Sequence, residues 1–579
     1  MRFDELAGFF ERLEGTSSRN ALVGILADLY TACALPEMEP VTYLIQGRLA
    51  PFFEPVEVGL ADRLLTTAVA TAYDVPKEEV AAAAKRLGDL GLAAQQVARE
   101  PGGPAPDVLD VHRRLYAVAI AAGAGSVQRK LDGFVGLLRE LDGVAAKHLV
   151  RITSGRMRLG IGDPTVLDAL SFATRGDRSL RPVLEGAYNR TSDLGLIAKT
   201  LRAEGEAAVD ALRVTVGRPI RPQLAERLPD PAAVIRKLGL VGVQPKYDGF
   251  RVQVHKEGDR VSIFSRNLEN LTDMIPEVRE AARRLAVDSV ILDGEAIAYN
   301  PASEEYLPFQ LTMGRRRKHG VEKFAAAAPV RAFVFDAMYR DGVDLTSLPY
   351  EARLEVVAEV VRGSETLVAA PLTRTDSADV LTRELLDNIS RGLEGVVAKR
   401  LTSPYQAGAR NFNWVKLKRN TSGQLNDTID VVLLGYYRGR GRRTDLGAGA
   451  LLAGVYDPAR DEFVTISNIG TGLSDAAWRE LYERARALES EHRPARVSSL
   501  ITPDAWLEPE IVAEVLADEI TPSPRHTCGM TEGGSGLAQR FPRVVSFRGA
   551  DKRAEDATTV AEILEMYEQQ RARSAPRNH

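Results

Sequence analysis

The sequence predicts a multidomain chain in three parts. These are an all-α N-terminal domain over residues 1–213, a mixed α+β domain over 214–424, and a small antiparallel β-barrel over 425–579. Three observations predict it. Apolar residues recur at helical spacing through the first part, and strand-like runs are rare there. A proline-rich stretch, VGRPIRPQLAERLPDP, then marks a stiff connector with prolines at 219, 222, 229 and 231. Beyond it the texture changes twice, first to strands interleaved with helices and then to closely spaced strands.

The helical part is carried by LAGFFERLEG, ADRLLTTAVATAY, EEVAAAAKRLGDLGLAAQQVA and GFVGLLRELDG. Breaks fall at Pro36, Pro101–Pro106 and Pro164. In the second part FRVQVHKEGDRVSIFSR reads as a hairpin around a Glu-Gly-Asp turn. SVILDGEAIAY, VRAFVFDAMY and EGVVAKR read as further strands. MIPEVREAARRLAV and YEARLEVVAEVVRG read as helices between them. The third part opens with strands at VVLLGYY, LLAGVY and FVTISNIG, followed by a helix near AAWRELYERARAL.

Composition excludes several classes. The 579 residues carry a net charge of -4, so any nucleic-acid surface has to be a local patch. Two cysteines, Cys33 and Cys528, allow neither a disulfide framework nor a four-cysteine zinc site, and suit a reducing cytoplasm. The acidic, amphipathic N-terminus does not read as a signal peptide, and no apolar run is long enough to span a membrane. GxxxxGK[ST], HExxH and GxSxG are all absent.

What remains is a set of lysines and carboxylates at strand ends. Lys246 lies in KYDGFR with Arg251, Glu295 in ILDGEAIAY, Phe335 and Asp336 in FVFDAMYRDG, Glu394 and Lys399 in EGVVAK, and Trp414, Lys416 and Lys418 in NWVKLK. A lysine attacks only when neutral, and with a reference pKa of ~10.4 roughly one in a few thousand is neutral near pH 7. Neighbouring cations or a metal raise that fraction, and the same charges bind phosphates. Arg251, Lys399, Lys416 and Lys418 supply such cations. Glu295 and Glu394 are oxygen donors suited to Mg²⁺, and Phe335 offers a face for a purine. On this reading the turn at Lys246 aims an amine at the α-phosphate of a nucleotide. Each piece alone also reads as an ordinary solvated charge or core strand. Their order in combination is what points to chemistry.

That combination resembles the ATP-dependent DNA ligases of the archaeal and eukaryotic replicative type, which some bacteria also carry. KYDGFR is similar to the family's adenylated-lysine motif. SRNLENLT, DGE, FVFD, EGVVAK and WVKLK follow in the family order, and RFPRVVSFRGADK resembles the last motif. The resemblance covers nearly the whole chain. It implies that the first part is a DNA-binding domain, the second an adenylation domain and the third an OB-fold.

It also implies residue roles. Lys246 becomes linked to AMP, and Arg251 and Arg266 contact the sugar and phosphates. Glu295 and Glu394 support the metal, and Phe335 stacks on adenine. Lys399, Lys416 and Lys418 hold the α-phosphate region, Trp414 lines the nucleotide site, and Arg548 and Lys552 close over pyrophosphate. Two departures stand out. Gln244 replaces the glutamate that relatives usually place two residues before the lysine, where it reads the adenine amino group; an amide oxygen can accept the same bond. RGADK is one residue longer than the usual R-x-D-K.

In the helical part RITSGRMRLGIGDPTVLDAL resembles the core of the family's DNA-binding domain, with Arg151, Arg156 and Arg158 as candidate phosphate contacts. RGRGRR in the third part and RRRK at 315–318 are further basic candidates. The implied reaction passes AMP from ATP to Lys246, then to the 5′-phosphate of a nick, and ends when the 3′-hydroxyl displaces AMP. The implied partners are nicked duplex DNA and a sliding clamp. The expected state is a monomer on the nucleoid in the cytoplasm. The competing readings are an RNA ligase or other lysine nucleotidyltransferase, and a DNA-binding clamp with a dead core.

Overall fold

The computed structural model describes residues 1–299, 306, 329–391, 393–418, 428–438, 447–531, 534–549 and 552–574. The basic candidates at 315–318 and at 439–443 lie outside the described residues. The chain divides into two compact units. One comprises Met1–Glu185, Asp193–Ala211 and Gln424–His579; the other comprises Gly186–Ser192 and Leu212–Gly423.

The N-terminal region is helical from Phe3–Glu14 to Glu206–Asp210. Local chemistry fixes many helix starts. Asp89, Asp107, Asp142 and Asp193 each accept from the backbone N–H three residues on, a cap contributing ~1 kcal/mol. Charged residues tie the helices together. Arg151 is buried and donates to Asp89 at 3.1 Å and to Glu14 at 2.8 Å. Buried Lys147 donates to Glu14 at 2.9 Å, and His148 meets Glu11 at 2.6 Å. Glu11, Glu14 and His148 could geometrically hold a metal, but two cations already neutralise the carboxylates. Arg151 is therefore an internal tie, which corrects its reading as a phosphate contact. Arg158 is partly committed too, to Asp89 at 3.3 Å, whereas Arg156 is half exposed.

The second unit contains two sheets. Its strands are β1 (Leu224–Arg227), β2 (Val241–Lys246), β3 (Phe250–Glu257), β4 (Arg260–Ser265), β5 (Ser289–Ala298), β6 (Val330–Arg340), β7 (Val343–Asp344), β8 (Leu367–Ala369), β9 (Thr373–Thr375), β10 (Gly395–Arg400) and β11 (Arg410–Lys418). One sheet runs β1-β11-β10-β2-β9, the other β4-β3-β5-β6-β7 with β8 on β6. The connector is not only a linker. Its Leu224–Arg227 segment is an edge strand parallel to β11, and Pro231 opens a helix, Pro231–Leu238, where its missing N–H costs nothing.

Alternation decides which side chains meet. Val241, Val243, Val396, Ala398, Val415 and Leu417 pack outward onto the helices Pro231–Leu238 and Ala378–Ser390. Val252, Val254, Leu292, Ala296, Ala332 and Val334 pack with the helices Pro276–Arg283 and Tyr350–Val360. The opposite faces supply two smaller clusters. One holds Ile291, Met338, Tyr405 and Trp414, and the other Tyr247, Ile297, Phe333 and Leu393.

The C-terminal strands are β12 (Ile429–Arg438), β13 (Ala448–Asp457), β14 (Glu462–Ile469), β15 (Glu489–Ser490), β16 (Val497–Ser498), β17 (Ala505–Leu507), β18 (Val512–Leu516), β19 (Glu519–Ser523), β20 (Gly536–Arg540) and β21 (Arg543–Phe547). β12, β13 and β14 form the antiparallel centre of an eight-stranded sheet over a core with Trp478. This strand-rich region joins the helical one through a buried network. Thr165 donates to Asp461 at 2.9 Å, and Arg496 bridges Asp461 at 2.7 Å and Glu555 at 2.8 Å.

Candidate active site on the facing sheets of the α+β unit

Lys246 is the last residue of β2, and register explains its company. Across the sheet Lys246 pairs with Gly395, and Gly395 with Lys418. The next row on the same face is Gln244, Val397 and Lys416. The third is Gly242, Lys399 and Trp414. Two glycines permit the arrangement. A Cβ on Gly249 would collide with the Ala296 carbonyl oxygen, blocking the β3–β5 pairing just after the turn. Gly395 has φ +146° and sits against the Leu417 carbonyl, a place no side chain fits.

Glu394, immediately before β10, reaches both lysines. Its carboxylate oxygen lies 2.7 Å from Lys246 Nζ and 2.9 Å from Lys418 Nζ. Burial alone would raise its pKa, but Lys246 and Lys418 together hold it far below the usual carboxylate range. Glu295 on β5 is the opposite case. Burial pushes it up to about 7, Lys246 and Arg251 relieve this in part, and Glu394 adds to it. One carboxylate is thus a firm anion and the other titrates near neutrality, and they feel one another.

Arg251 stands opposite Glu295 across β3–β5. It forks onto buried Asp293 at 2.9 and 2.6 Å and donates to the Gln223 carbonyl at 2.7 Å, while Tyr405 donates to Asp293 at 2.9 Å. Arg266 follows β4 in a turn held by Ser265, and its Nε is buried with no hydrogen-bond partner among the described residues. Phe335 meets Trp414 edge to face at 5.8 Å. The Lys399 ammonium is boxed by aromatics, 4.1 Å from the Phe335 ring centre and 4.0 Å from that of Trp414, and donates to Tyr350 at 3.1 Å. Burial brings its pKa down to about 7.

The structure therefore brings Lys246, Glu394 and Lys418 into direct contact, and groups Phe335, Lys399 and Trp414 as a second cluster. Arg548 and Lys552 belong to the other compact unit. There both bind Asp430, Arg548 at 2.7 Å, and Arg548 also meets Glu514 at 3.2 Å. Four participants were missed by sequence reasoning: Asp293, Tyr405, Tyr350 and Arg353. Asp293 was findable, because two residues before Glu295 on a strand means the same face. Arg353 forks onto Asp336, both fully buried, and nothing local announces that pair.

Chemically this is a site for group transfer at phosphorus: an amine poised with an anion, flanked by further cations and an aromatic floor, and without a hydrolytic triad among the described residues. Comparison with known proteins defines the family. Residues 222–418 match the ATP dependent DNA ligase domain, residues 2–171 the DNA ligase N terminus, and residues 444–552 the ATP dependent DNA ligase C terminal region. A probable DNA ligase of Dictyoglomus thermophilum is 46% identical over 573 residues, covering 99% of this chain and 98% of the relative. DNA ligases of Aeropyrum pernix and Sulfurisphaera tokodaii are 41% and 40% identical. The first match covers 98% of this chain and 98% of the relative, the second 100% and 99%. The chain belongs to the ATP-dependent DNA ligases.

Proposed function

We propose that this chain seals nicks in duplex DNA with ATP, through a lysine–AMP intermediate on Lys246 and then an adenylated DNA 5′ end. The observation that carries the reading is Lys246 held at 2.7 Å by Glu394, which Lys418 shares. Each step is an in-line displacement at phosphorus, so the protein's work is to position groups and stabilise charge. Lys246 Nζ attacks the α-phosphate as pyrophosphate leaves. Glu394 fixes the direction of that amine. Lys416 and Lys418 lie in register on the same face, where they neutralise phosphate oxygens. Arg251, held rigidly by Asp293, and Arg266 contact sugar and phosphate. Phe335, with Trp414 and Lys399 behind it, supports the adenine.

Glu295 and Glu394 are the residues that would hold a Mg²⁺ ion, Glu394 giving up its contacts with Lys246 and Lys418 to do so. They are hard oxygen donors, and the mutual repulsion that helps raise Glu295 is what a divalent cation reverses. Such an ion would supply electrostatic stabilisation to the phosphates. Arg548 and Lys552 close over the outgoing pyrophosphate once released from Asp430. The working division is a DNA-binding domain at 1–213, an adenylation domain at 214–424 and an OB-fold at 425–579. The protein acts as a monomer on the cytoplasmic nucleoid, with a sliding clamp as partner. Among the described residues no helix is long and apolar enough to cross a membrane.

The test is end-joining of a labelled nicked DNA duplex with ATP, GTP or NAD, and of a nicked RNA duplex with ATP. Joining of DNA with ATP and loss of it in Lys246→Ala are expected. Equal joining in Lys246→Ala, or joining of RNA alone, contradicts the reading.

A further inference from the structure

The proline-rich connector supplies part of the wall around Arg251. Its Gln223, just ahead of β1, is fully buried. The Gln223 carbonyl accepts from Arg251 Nη1 at 2.7 Å, and the Gln223 N–H donates to the Tyr405 hydroxyl oxygen at 3.1 Å. Tyr405 donates to Asp293 at 2.9 Å, and Asp293 accepts the Arg251 fork at 2.9 and 2.6 Å. These four residues close a circuit. They come from the connector, the segment between β10 and β11, β5 and β3, so no single element holds it.

Every direction in the circuit is forced. A backbone N–H and a guanidinium only donate, whereas a backbone carbonyl and a carboxylate only accept. Tyr405 has one hydrogen. Its other polar neighbours here, the Gln223 N–H and Arg251 Nη2 at 3.4 Å, are donors, so that hydrogen goes to Asp293. Burial beside the Asp293 charge holds the phenol far above its ordinary value, so the hydrogen stays in place. The guanidinium is thus held through Nε, Nη1 and Nη2. Among the described residues one Nη1 hydrogen has no taker. Arg251 stands opposite Glu295 in register, and Glu295 feels both Arg251 and Lys246, so the guanidinium shares the lysine's surroundings.

The connector is itself anchored. Arg221 donates its N–H to the Asn189 carbonyl at 2.9 Å and its Nη2 to the Tyr188 hydroxyl at 2.5 Å. Ser192 donates to the Pro219 carbonyl at 2.6 Å. From the other side Gly408 donates to the Arg221 carbonyl at 3.0 Å, and the Gln406 N–H to Gln223 Oε1 at 2.8 Å. Gly408 has to lack a side chain, because its φ is +70° and a Cβ would strike the Asn189 amide. Tyr188 and Asn189 lie in the last turn of the helix Arg181–Thr191, and Ser192 follows it; all three belong to the same compact unit as Arg251. The Gln223 carbonyl is therefore a fixed acceptor.

We propose that Tyr405 is a positioning residue for Arg251: by clamping the connector at Gln223 to Asp293, it fixes the guanidinium where the nucleotide meets it and so sets how tightly ATP is held. The proposal rests on the reading that Lys246 receives the nucleotide and that Arg251 contacts it. A tyrosine that only filled space would lose nothing on becoming phenylalanine, since its edge-to-face contact with Trp414 at 6.0 Å remains.

The experiment follows lysine–AMP formation on the full chain by intact mass, as initial rate against ATP concentration, with thermal unfolding in parallel. Four proteins are compared: wild type, Tyr405→Phe, Arg251→Met and the double variant. Tyr405→Phe is expected to raise the half-saturating ATP concentration by about tenfold, the scale of one hydrogen bond to a charged group, and to change the maximal rate by less than about threefold. In the Arg251→Met background the same change is expected to shift half-saturation by less than about twofold, because no guanidinium is left to position. Equal factors in both backgrounds, or unchanged half-saturation in folded Tyr405→Phe, overturn the proposal. Should Tyr405→Phe fail to fold, Tyr188→Phe loosens the same connector from its far end, and half-saturation must rise with Arg251 present and not without it. Where Arg251→Met forms too little lysine–AMP to follow, calorimetric ATP affinity in the Lys246→Ala forms of the same four proteins gives the same comparison. A wild type that binds ATP but gains no AMP overturns the Lys246 reading alone, and the affinities still decide the role of Tyr405. A wild type that does not bind ATP overturns both.

Discussion

Replacing Lys399 with methionine should make the protein more stable and less active, and the size of the first effect follows from the site. Lys399 is buried among Phe335, Trp414 and Tyr350, and burial takes its pKa from a lysine's ordinary 10.5 to about 7. A displacement of that size corresponds to roughly 4–5 kcal/mol of cost for carrying the charged form into the fold. Below pH 7 both folded and unfolded chains hold the proton, and the whole cost is felt. Between about pH 7 and 10.5 the unfolded chain binds more protons than the folded one, so this contribution to stability rises with pH. Methionine keeps the length and loses the charge. It also loses the Tyr350 hydrogen bond and the cation–aromatic contacts, ~1–3 kcal/mol together. The net expectation is a gain of about 2 kcal/mol at pH 7, falling by about 2 kcal/mol at pH 9. Native-state hydrogen exchange of the β10 and β11 amides reads this locally, apart from the other unit. Lysine–AMP formation should fall about tenfold or more, because a charge kept at such cost is kept for function. A Lys399→Met protein that is less stable at pH 7, by a margin unchanged at pH 9, refutes the reasoning.

Four further outcomes are expected. Glu394→Gln removes the anion that Lys246 and Lys418 share, and the rate of lysine–AMP formation should drop by about 10²-fold or more; a drop under about fivefold would mean the carboxylate only balances charge. Arg151→Ala should cost ~3–5 kcal/mol in chemical denaturation by stranding Asp89 and Glu14. Arg156→Ala should leave stability nearly untouched and reduce the salt slope of DNA binding by about 1. Arg496→Met should destabilise the unit joining helical and strand-rich regions by ~3–5 kcal/mol in the same assay, because among the described residues Asp461 then keeps only the Thr165 and Tyr456 hydroxyls.

The parts of the site legible in the sequence are those whose chemistry sits at the ends of recognisable strands. KYDG, DGE, EGVVAK and WVKLK each announce a strand with a charged residue at a fixed place, and β-sheet register then brings Lys246, Lys418 and Glu394 together. The illegible parts depend on partners distant in sequence. Arg151 looked like a phosphate ligand because its true partners, Asp89 and Glu14, lie 62 and 137 residues away. Tyr350 looked like an ordinary helix start, and its contact with Gln244 spans 106 residues. The edge strand β1 hid inside a proline-rich connector because it pairs parallel with β11, with no local turn to signal it. Strands of two to five residues, such as β15 to β20, carry too little alternation to be read.

The central claim is that Lys246 carries the nucleotide. The direct measurement is intact mass of the full chain, stripped with pyrophosphate and then given Mg²⁺ and ATP, for wild type and Lys246→Ala. The account predicts the gain of one AMP in the wild type and none in the variant. One AMP on both proteins would place the acceptor elsewhere. No AMP on either, with GTP and NAD also inactive and both proteins folded, would contradict the account.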